Sequence, residues 1–242
     1  MAGWNSGGEP EAALAHGQVR SGMADCRRAS EKARMYRTPA WSRNMSYNFF
    51  ATVSRMKYIE RWALMRSSRA ETLSEHSLET AMIAHALCTI GNIRYGRHLD
   101  ADRAAVIGLY HDASEIMTGD MPTPVKYYNS SIRDAYKAVE AVAEDRLLDR
   151  LPDDLRPTYA AIFHADPEDP EEIRMRKLVK AADKISAYIK CIEEENAGNS
   201  EFRTARQTIW GAVQKMMEEM PEVGDFVRDF LPPYGKTLDE LN

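Results

Sequence analysis

The chain has 242 residues, 44% of them hydrophobic, which is enough for one large globular domain or two small ones. No run approaches the roughly 18 apolar residues of a membrane-spanning helix, and the net charge of −5 argues against a surface that coats nucleic acid. The three cysteines, Cys26, Cys88 and Cys191, are too few for a disulfide framework or a thiolate zinc site, which favours a reducing compartment. We expect Cys88 and Cys191, both in apolar helical contexts, to be core residues.

The first 44 residues differ from the rest of the chain. They carry seven Lys and Arg against four Asp and Glu, five of the 13 glycines, and no sustained apolar periodicity. They lack the apolar run of a secretory signal, and their acidic residues count against an organelle-transit segment. The sequence therefore predicts an N-terminal extension over residues 1–45, either disordered or the product of a mis-assigned start upstream of Met45. A single domain over residues 46–242 follows it.

From residue 49 onward the apolar periodicity is helical, and no alternating run is long enough to predict a strand. Thr72 and Glu75 form the T-x-x-E pattern of a capping box, which predicts the start of a helix. Pro122 and Pro124 predict a loop over GDMPTPV, because proline removes backbone donors. We expect one all-α domain with helices over residues 48–60, from 72 onward, 101–117, 131–150, 155–165, from the DPEDPEE stretch to 196, and 202–220.

The predicted helix over residues 101–117 carries an unusual polar group. His111, Asp112 and Glu115 are three and four residues apart, so they are expected to share one side of the helix. Such a group is ordinarily a solvated acidic face. The apolar flanks AAVIGLY and IM instead predict that this helix is buried over much of its circumference. A buried His-Asp pair needs a nearby cation, since an uncompensated buried carboxylate costs several kcal/mol.

Two more side chains are candidates for the same site. Asp183 lies in the apolar helical stretch KLVKAADKISAYIKCI, where it either pairs with Lys180 or Lys184 or faces a metal ion. His76 falls in the first turn of the helix that the capping box starts. His85, nine residues later, falls on the opposite face and is left out of the site.

Together, His76, His111, Asp112 and Asp183 offer two imidazoles and two carboxylates. Mixed nitrogen and oxygen donors suit Mn, Fe, Co, Ni or Zn better than calcium or a structural zinc. Four protein ligands on a six-coordinate ion leave positions for water and substrate. Four methionines, by contrast, are expected to fill the core: Met56, Met65, Met82 and Met117.

The order of these four residues resembles the H...HD...D signature of the HD-domain metal-dependent phosphohydrolases. The segments ERWALMR, LSEHSLETAMIAHAL, YHDASEIMTGDMPTPVKYYNS and LVKAADKISAYIKCIEE are similar, in order and spacing, to the bacterial YfbR-type 5′-deoxynucleotidases. The resemblance covers about residues 45–238. It implies a single all-α HD-domain helical bundle in which His76, His111, Asp112 and Asp183 hold one divalent transition metal between helices.

The resemblance also implies roles for the matching residues. Glu115 would orient or deprotonate the attacking water, and Arg61 would hold the phosphate. Trp62 and Asp120 would contact the deoxyribose, and Asp120 would accept a hydrogen bond from the 3′-hydroxyl. The loop over residues 120–123 would close over the nucleotide. Without the resemblance, Arg61 is a surface arginine and Trp62 a core aromatic. The predicted catalytic residues are Glu115 and Arg61, and the predicted substrate-binding residues are Arg61, Trp62, His76, Asp112, Asp120, Met121, Pro122, Thr123 and Asp183.

The activity implied is hydrolysis of deoxyribonucleoside 5′-monophosphates, with Co²⁺ or Mn²⁺ as the supporting ion, by a cytoplasmic homodimer. No nucleic-acid polymer or membrane is an expected partner. One alternative is another HD phosphohydrolase, acting on a nucleoside triphosphate or a signalling nucleotide, for which Lys126 is the nearest extra cation. The other is a non-catalytic nucleotide-sensing HD module, which would be marked by loss of a metal ligand or of Glu115.

Overall fold

Helices account for all regular secondary structure in residues 46–126 and 128–242, which the computed structural model describes, apart from one isolated antiparallel bridge between Glu60 and Thr72. The predicted all-α class is therefore confirmed. None of the described helices combines the length and apolarity needed to cross a bilayer. The predicted extension over residues 1–45, Cys26 included, lies outside the described residues.

The described residues form ten α-helices and three short 3₁₀ segments. The α-helices are α1 (Phe49–Val53), α2 (Leu73–Tyr95), α3 (Ala101–Tyr110), α4 (Glu115–Thr118), α5 (Thr123–Lys126), α6 (Ser130–Leu148), α7 (Arg156–Phe163), α8 (Pro170–Asn196), α9 (Arg203–Glu219) and α10 (Pro221–Phe230). The 3₁₀ segments are Ser54–Tyr58, Ser200–Phe202 and Leu238–Leu241.

The core is centred on α2 and α8. Helix α2 packs against α3, α8 and α10, and α8 packs against α9. Leu87, Leu178 and Ile185 are fully buried at the centre, and each contributes about 1.5–3 kcal/mol by leaving water. Cys88 and Cys191 are free and buried, as expected.

Helix α2 begins at the predicted capping box. The Thr72 hydroxyl accepts a hydrogen bond from the Glu75 N–H, and the Glu75 carboxylate accepts one from the Thr72 N–H at 2.8 Å. These bonds satisfy two of the donors that a helix start leaves without partners. They fix the start so that His76 falls in the first turn, where it is completely buried.

Gly108 allows α2 and α3 to approach unusually closely. A Cβ atom at this position would lie 2.8 Å from the Ala81 Cα, which is closer than real Cβ atoms come to backbone. Only glycine fits without moving a helix. The contact joins α2, which carries His76, to α3, which ends just before His111. The ring centroids of these two histidines are 5.2 Å apart.

The continuous helix predicted over residues 101–117 was wrong. Helix α3 ends at Tyr110, and residues 111–114 form a turn before α4. The turn is closed by three-residue bonds, from the Ala113 N–H to the Tyr110 carbonyl and from the Glu115 N–H to the Asp112 carbonyl, both at 3.0 Å. His111, Asp112 and Glu115 therefore meet through a tightened turn, since they do not lie on one face of a regular helix.

Three other expectations also needed correction. Residues 123–126 form α5 although the GDMPTPV stretch was predicted to be loop, because Pro124 lies in a first turn, where its missing N–H has no helical partner to lose. The predicted helix over residues 48–60 is divided into α1 and a 3₁₀ segment, and α10 was not predicted at all.

The methionines fill the core only in part. Met56 is buried as expected. Met82 and Met117 are 59% and 36% exposed, so the prediction was wrong for both. Met65 is half-buried in the wall of a pocket described below. Exposed methionines on a helix face follow the same spacing as buried ones, so periodicity alone did not separate them.

Candidate metal centre and adjoining pocket

The structure brings the four predicted metal ligands together. His76 comes from the first turn of α2, and His111 and Asp112 come from the turn after α3. One ligand atom from each of these three lies within 4.8 Å of the others. Asp183, on α8, is outside that group of mutually close atoms, but its Oδ1 lies 3.3 Å from the His76 Nε2.

Both histidine rings present their Nε2 atoms to this cluster. The His111 Nδ1 lies 2.7 Å from the Gly108 carbonyl, which can only accept, so Nδ1 carries the proton. The His76 Nδ1 lies 3.0 Å from the Ser186 hydroxyl, which itself donates to Glu79. Ser186 therefore accepts from His76, and both Nε2 atoms keep a lone pair free for a metal.

The donor set fits a divalent cation. The Nε2 atoms of His76 and His111 are buried without a hydrogen-bond partner among the described residues. Asp112 Oδ2 lies 3.0 Å from the His111 Nε2 and 3.6 Å from the His76 Nε2. Burial would lower the pKa of His111, but the Asp112 carboxylate raises it, so this geometry attracts positive charge. A metal ion would replace that proton.

Both sequence-based interpretations of Asp183 have a counterpart in the structure. Its Oδ2 accepts a hydrogen bond from the Lys184 Nζ at 3.0 Å, while its Oδ1 faces His76. Burial would raise the pKa of Asp183, but Lys184 and His76 hold it well below the usual range. Asp183 is therefore ionised and available as an anionic ligand.

Glu115 lies at the start of α4 and is buried, with Oε2 lacking a partner among the described residues. Burial, then the charges of Asp112 and Asp120, raise the pKa of Glu115 to about 9. A cation among these carboxylates would lower that pKa and favour the ionised form. Glu115 is thus an unpartnered carboxyl group whose proton affinity depends on the charge beside it.

Ser186 provides a test of the metal centre. Ser186→Ala is expected to weaken metal affinity about 10-fold, because removing the hydroxyl frees the His76 ring from its fixed tautomer and orientation. The measurement is competition between the protein and a chromogenic chelator for Co²⁺. Ser77→Ala is the matched control, since the Ser77 hydroxyl is buried beside His76 with no described hydrogen-bond partner. Equal affinities in the two variants would contradict the role given to Ser186.

A pocket of about 420 Å³ adjoins the cluster, within the roughly 300–1,000 Å³ range of small-molecule sites. Six residues with predicted substrate roles line it: Arg61, Trp62, Asp120, Met121, Pro122 and Thr123. Helix α9 forms a wall that the sequence analysis did not identify. Thr204, Thr208 and Ala212 line the pocket at intervals of four residues. This spacing of small side chains along one helix face was visible in the sequence and could have indicated the wall.

Arg61 links this pocket to the metal cluster. Burial would lower the pKa of Arg61, but nearby carboxylates raise it. These are Glu71, Asp183, Asp112 and Asp120. Trp62, the next residue, donates its backbone N–H to Asp120 Oδ2 at 3.2 Å and packs its ring edgewise on Phe202.

Two polar residues considered in the sequence analysis, Lys126 and His85, do not line the pocket. The Lys126 ammonium donates to Glu140 at 2.7 Å and lies over the Tyr136 ring, and Lys126 is not among the pocket-lining residues. His85, which was left out of the predicted site, is exposed, with Nε2 3.5 Å from an exposed Asp102 on α3. Lys126, the extra cation considered for a triphosphate substrate, is therefore engaged elsewhere.

Known proteins resemble this chain over most of its length. The family model for YfbR-like 5′-deoxynucleotidases matches residues 48–234. A 5′-deoxynucleotidase from Shewanella oneidensis is 46% identical over 197 residues, covering 81% of this chain and 97% of that protein. The 5′-deoxynucleotidase YfbR of Salmonella typhi is 45% identical over 195 residues, with coverage of 81% and 96%.

Solved structures share the fold at lower identity. An HD-domain phosphohydrolase from Listeria innocua aligns with a TM-score of 0.66 at 23% identity, covering 77% of this chain and 88% of that one. A cyanophage S-2L HD phosphohydrolase, bound to dA and one catalytic Zn²⁺, aligns with a TM-score of 0.52 at 17% identity, covering 72% and 89%. The fold is that of the HD domain, and the chain belongs to the YfbR-like 5′-deoxynucleotidase family.

Proposed function

We propose that this protein is a metal-dependent 5′-deoxynucleotidase, which hydrolyses deoxyribonucleoside 5′-monophosphates to deoxynucleoside and phosphate. The observation that carries the proposal is the pair of buried Nε2 atoms of His76 and His111, which have no hydrogen-bond partner among the described residues and face two carboxylates. A pocket that contains Arg61 lies beside them. The names of the relatives from Shewanella oneidensis and Salmonella typhi support the same activity.

Hydrolysis of a phosphate monoester is very slow without a catalyst, so the site must supply a nucleophile and offset charge on the phosphoryl oxygens. His76, His111, Asp112 and Asp183 would hold the metal. When bound, a divalent ion lowers the pKa of its water and acts as a Lewis acid. We take Co²⁺ or Mn²⁺ as the ions most suitable for assay.

The protein's own side chains supply the remaining steps. Arg61 presents a planar guanidinium group to the phosphate. Glu115 takes the proton of the attacking water on its unpartnered Oε2. Trp62 excludes a 2′-hydroxyl by the bulk of its indole, and the Asp120 carboxylate accepts a hydrogen bond from the 3′-hydroxyl. The segment over residues 120–123, which lines the pocket, contacts the nucleotide.

A cytoplasmic homodimer is part of the same proposal. Exposed apolar side chains on α2 and α3 provide a surface that a second copy would bury. They are Leu78, Met82, Val106 and Leu109.

The test is release of phosphate and nucleoside from dAMP, AMP and dATP by metal-stripped protein, with and without Co²⁺ or Mn²⁺. We expect cobalt-dependent hydrolysis of dAMP, with AMP at least about 10-fold slower and dATP inert. Activity confined to dATP would assign the protein to the triphosphate-hydrolysing branch. Inactivity on all three nucleotides despite bound metal would favour a nucleotide sensor.

A further inference from the structure

We propose that Glu71 is a positioning residue that aligns Arg61 with the phosphate and Trp62 with the sugar, and so controls both nucleotide affinity and discrimination against ribonucleotides. The inference rests on the proposed function. A single oxygen, Glu71 Oε2, accepts hydrogen bonds from the Arg61 Nη1 and from the Trp62 Nε1, each at 2.8 Å. One carboxylate thus ties together the two side chains that touch opposite parts of the substrate.

The backbone holds Glu71 in place for this task. The Arg61 N–H donates to the Glu71 carbonyl at 2.9 Å, and the Leu73 N–H donates to the Ile59 carbonyl at 2.8 Å. These bonds flank the isolated bridge between residues 60 and 72 and lead directly into α2. Glu71 is therefore attached to the helix that carries His76, so its carboxylate has a fixed position relative to the proposed metal centre.

Trp62 needs such external support. It has φ of +62°, the only left-handed backbone conformation among the described non-glycine residues, which is strained for a residue with a Cβ atom. Its backbone N–H is held by Asp120, its indole N–H by Glu71, and its ring edge by Phe202. Among these contacts, only the bond to Glu71 fixes the polar edge of the indole. Without it, the ring can turn about its side-chain torsions.

Burial makes the bond to Arg61 significant. The side chains of Arg61 and Glu71 are only 10% and 12% exposed, so water does not replace either partner well. Without Glu71, the guanidinium group is left facing the carboxylates of Asp183, Asp112 and Asp120. We expect it to turn toward them and away from the position in which it binds phosphate.

Substitution separates the two tasks of Glu71. Glu71→Ala is expected to raise KM for dAMP at least about 10-fold and to lower the preference for dAMP over AMP, because the Trp62 indole loses the bond that orients it. Glu71→Gln keeps an oxygen that accepts from the indole N–H but loses the charge that holds Arg61. It is therefore expected to keep the sugar preference while KM rises.

The experiment measures kcat and KM for dAMP and AMP with Co²⁺-loaded proteins. Binding of both nucleotides is followed by calorimetry in a Glu115→Gln background, which removes turnover. Glu195→Gln is the matched control, because Glu195 also pairs with an arginine, Arg206, but is half exposed and does not line the pocket. Its KM and its sugar preference are expected to equal those of the wild type.

Wild-type KM and preference in Glu71→Ala would overturn the inference. If that variant does not fold, an unchanged KM in Glu71→Gln overturns it instead. A wild type that binds dAMP without releasing phosphate contradicts the proposed function alone, because the binding measurements still test Glu71. A wild type that binds neither nucleotide overturns both.

Discussion

Asp183→Ala is expected to lose both its divalent metal and its phosphate-releasing activity. The carboxylate supplies negative charge 3.3 Å from the His76 Nε2, and neither imidazole carries charge when it binds a metal. Removing a ligand should weaken metal binding by more than the roughly 10–100-fold that outer contacts cost. Metal analysis after dialysis and phosphate release from dAMP measure the two effects.

Asp145→Ala is a suitable control for this variant, because Asp145 is an exposed carboxylate on α6, near His164. It is expected to retain metal and activity. Full cobalt-supported turnover by Asp183→Ala would exclude Asp183 from the proposed centre.

Glu115→Gln is expected to retain metal and dAMP binding while kcat falls about 10²- to 10⁴-fold. Glutamine has the shape of the buried glutamate but cannot take a proton from water. The measurement is kcat for dAMP with Co²⁺, together with dAMP affinity by calorimetry. A loss of affinity larger than the loss of kcat would indicate that Glu115 binds substrate and does not transfer a proton.

The control for Glu115 is Glu144→Gln. Burial, above all, also raises the pKa of Glu144, but this residue lies beside His164 and away from the pocket. Its substitution tests whether neutralising any half-buried glutamate impairs the protein. Normal kcat in Glu144→Gln and also in Glu115→Gln would remove Glu115 from the mechanism.

The sequence revealed the metal-binding candidates because local signals fix each one. The Thr72 capping box sets the position of His76, and apolar flanks around His111 and Asp183 indicate buried surroundings. A buried polar residue in an apolar helix needs a partner. Because the buried residues are histidines and aspartates, their side chains indicated a divalent metal as that partner. The helical class followed from the 3.6-residue period.

The sequence did not reveal features that depend on tertiary contacts. The break after Tyr110 coincides with the bond from the His111 ring to the Gly108 carbonyl, which periodicity does not encode. Glu71 lies in an irregular segment, and its link to Arg61 and Trp62 depends on the folding back of that segment onto residues 59–61. Such pairings have no fixed spacing along the chain.

The contact at Gly108 separates the dimensions of the metal centre from the packing of the core. Because the backbones of α2 and α3 touch there, the spacing of these helices is set by a rigid stop and does not depend on side-chain volume. A smaller side chain at Ile83 or Leu87 would leave a cavity and reduce stability. It would not let the helices move closer. We therefore expect a loss of core volume to lower stability without changing the distance between the imidazoles of His76 and His111.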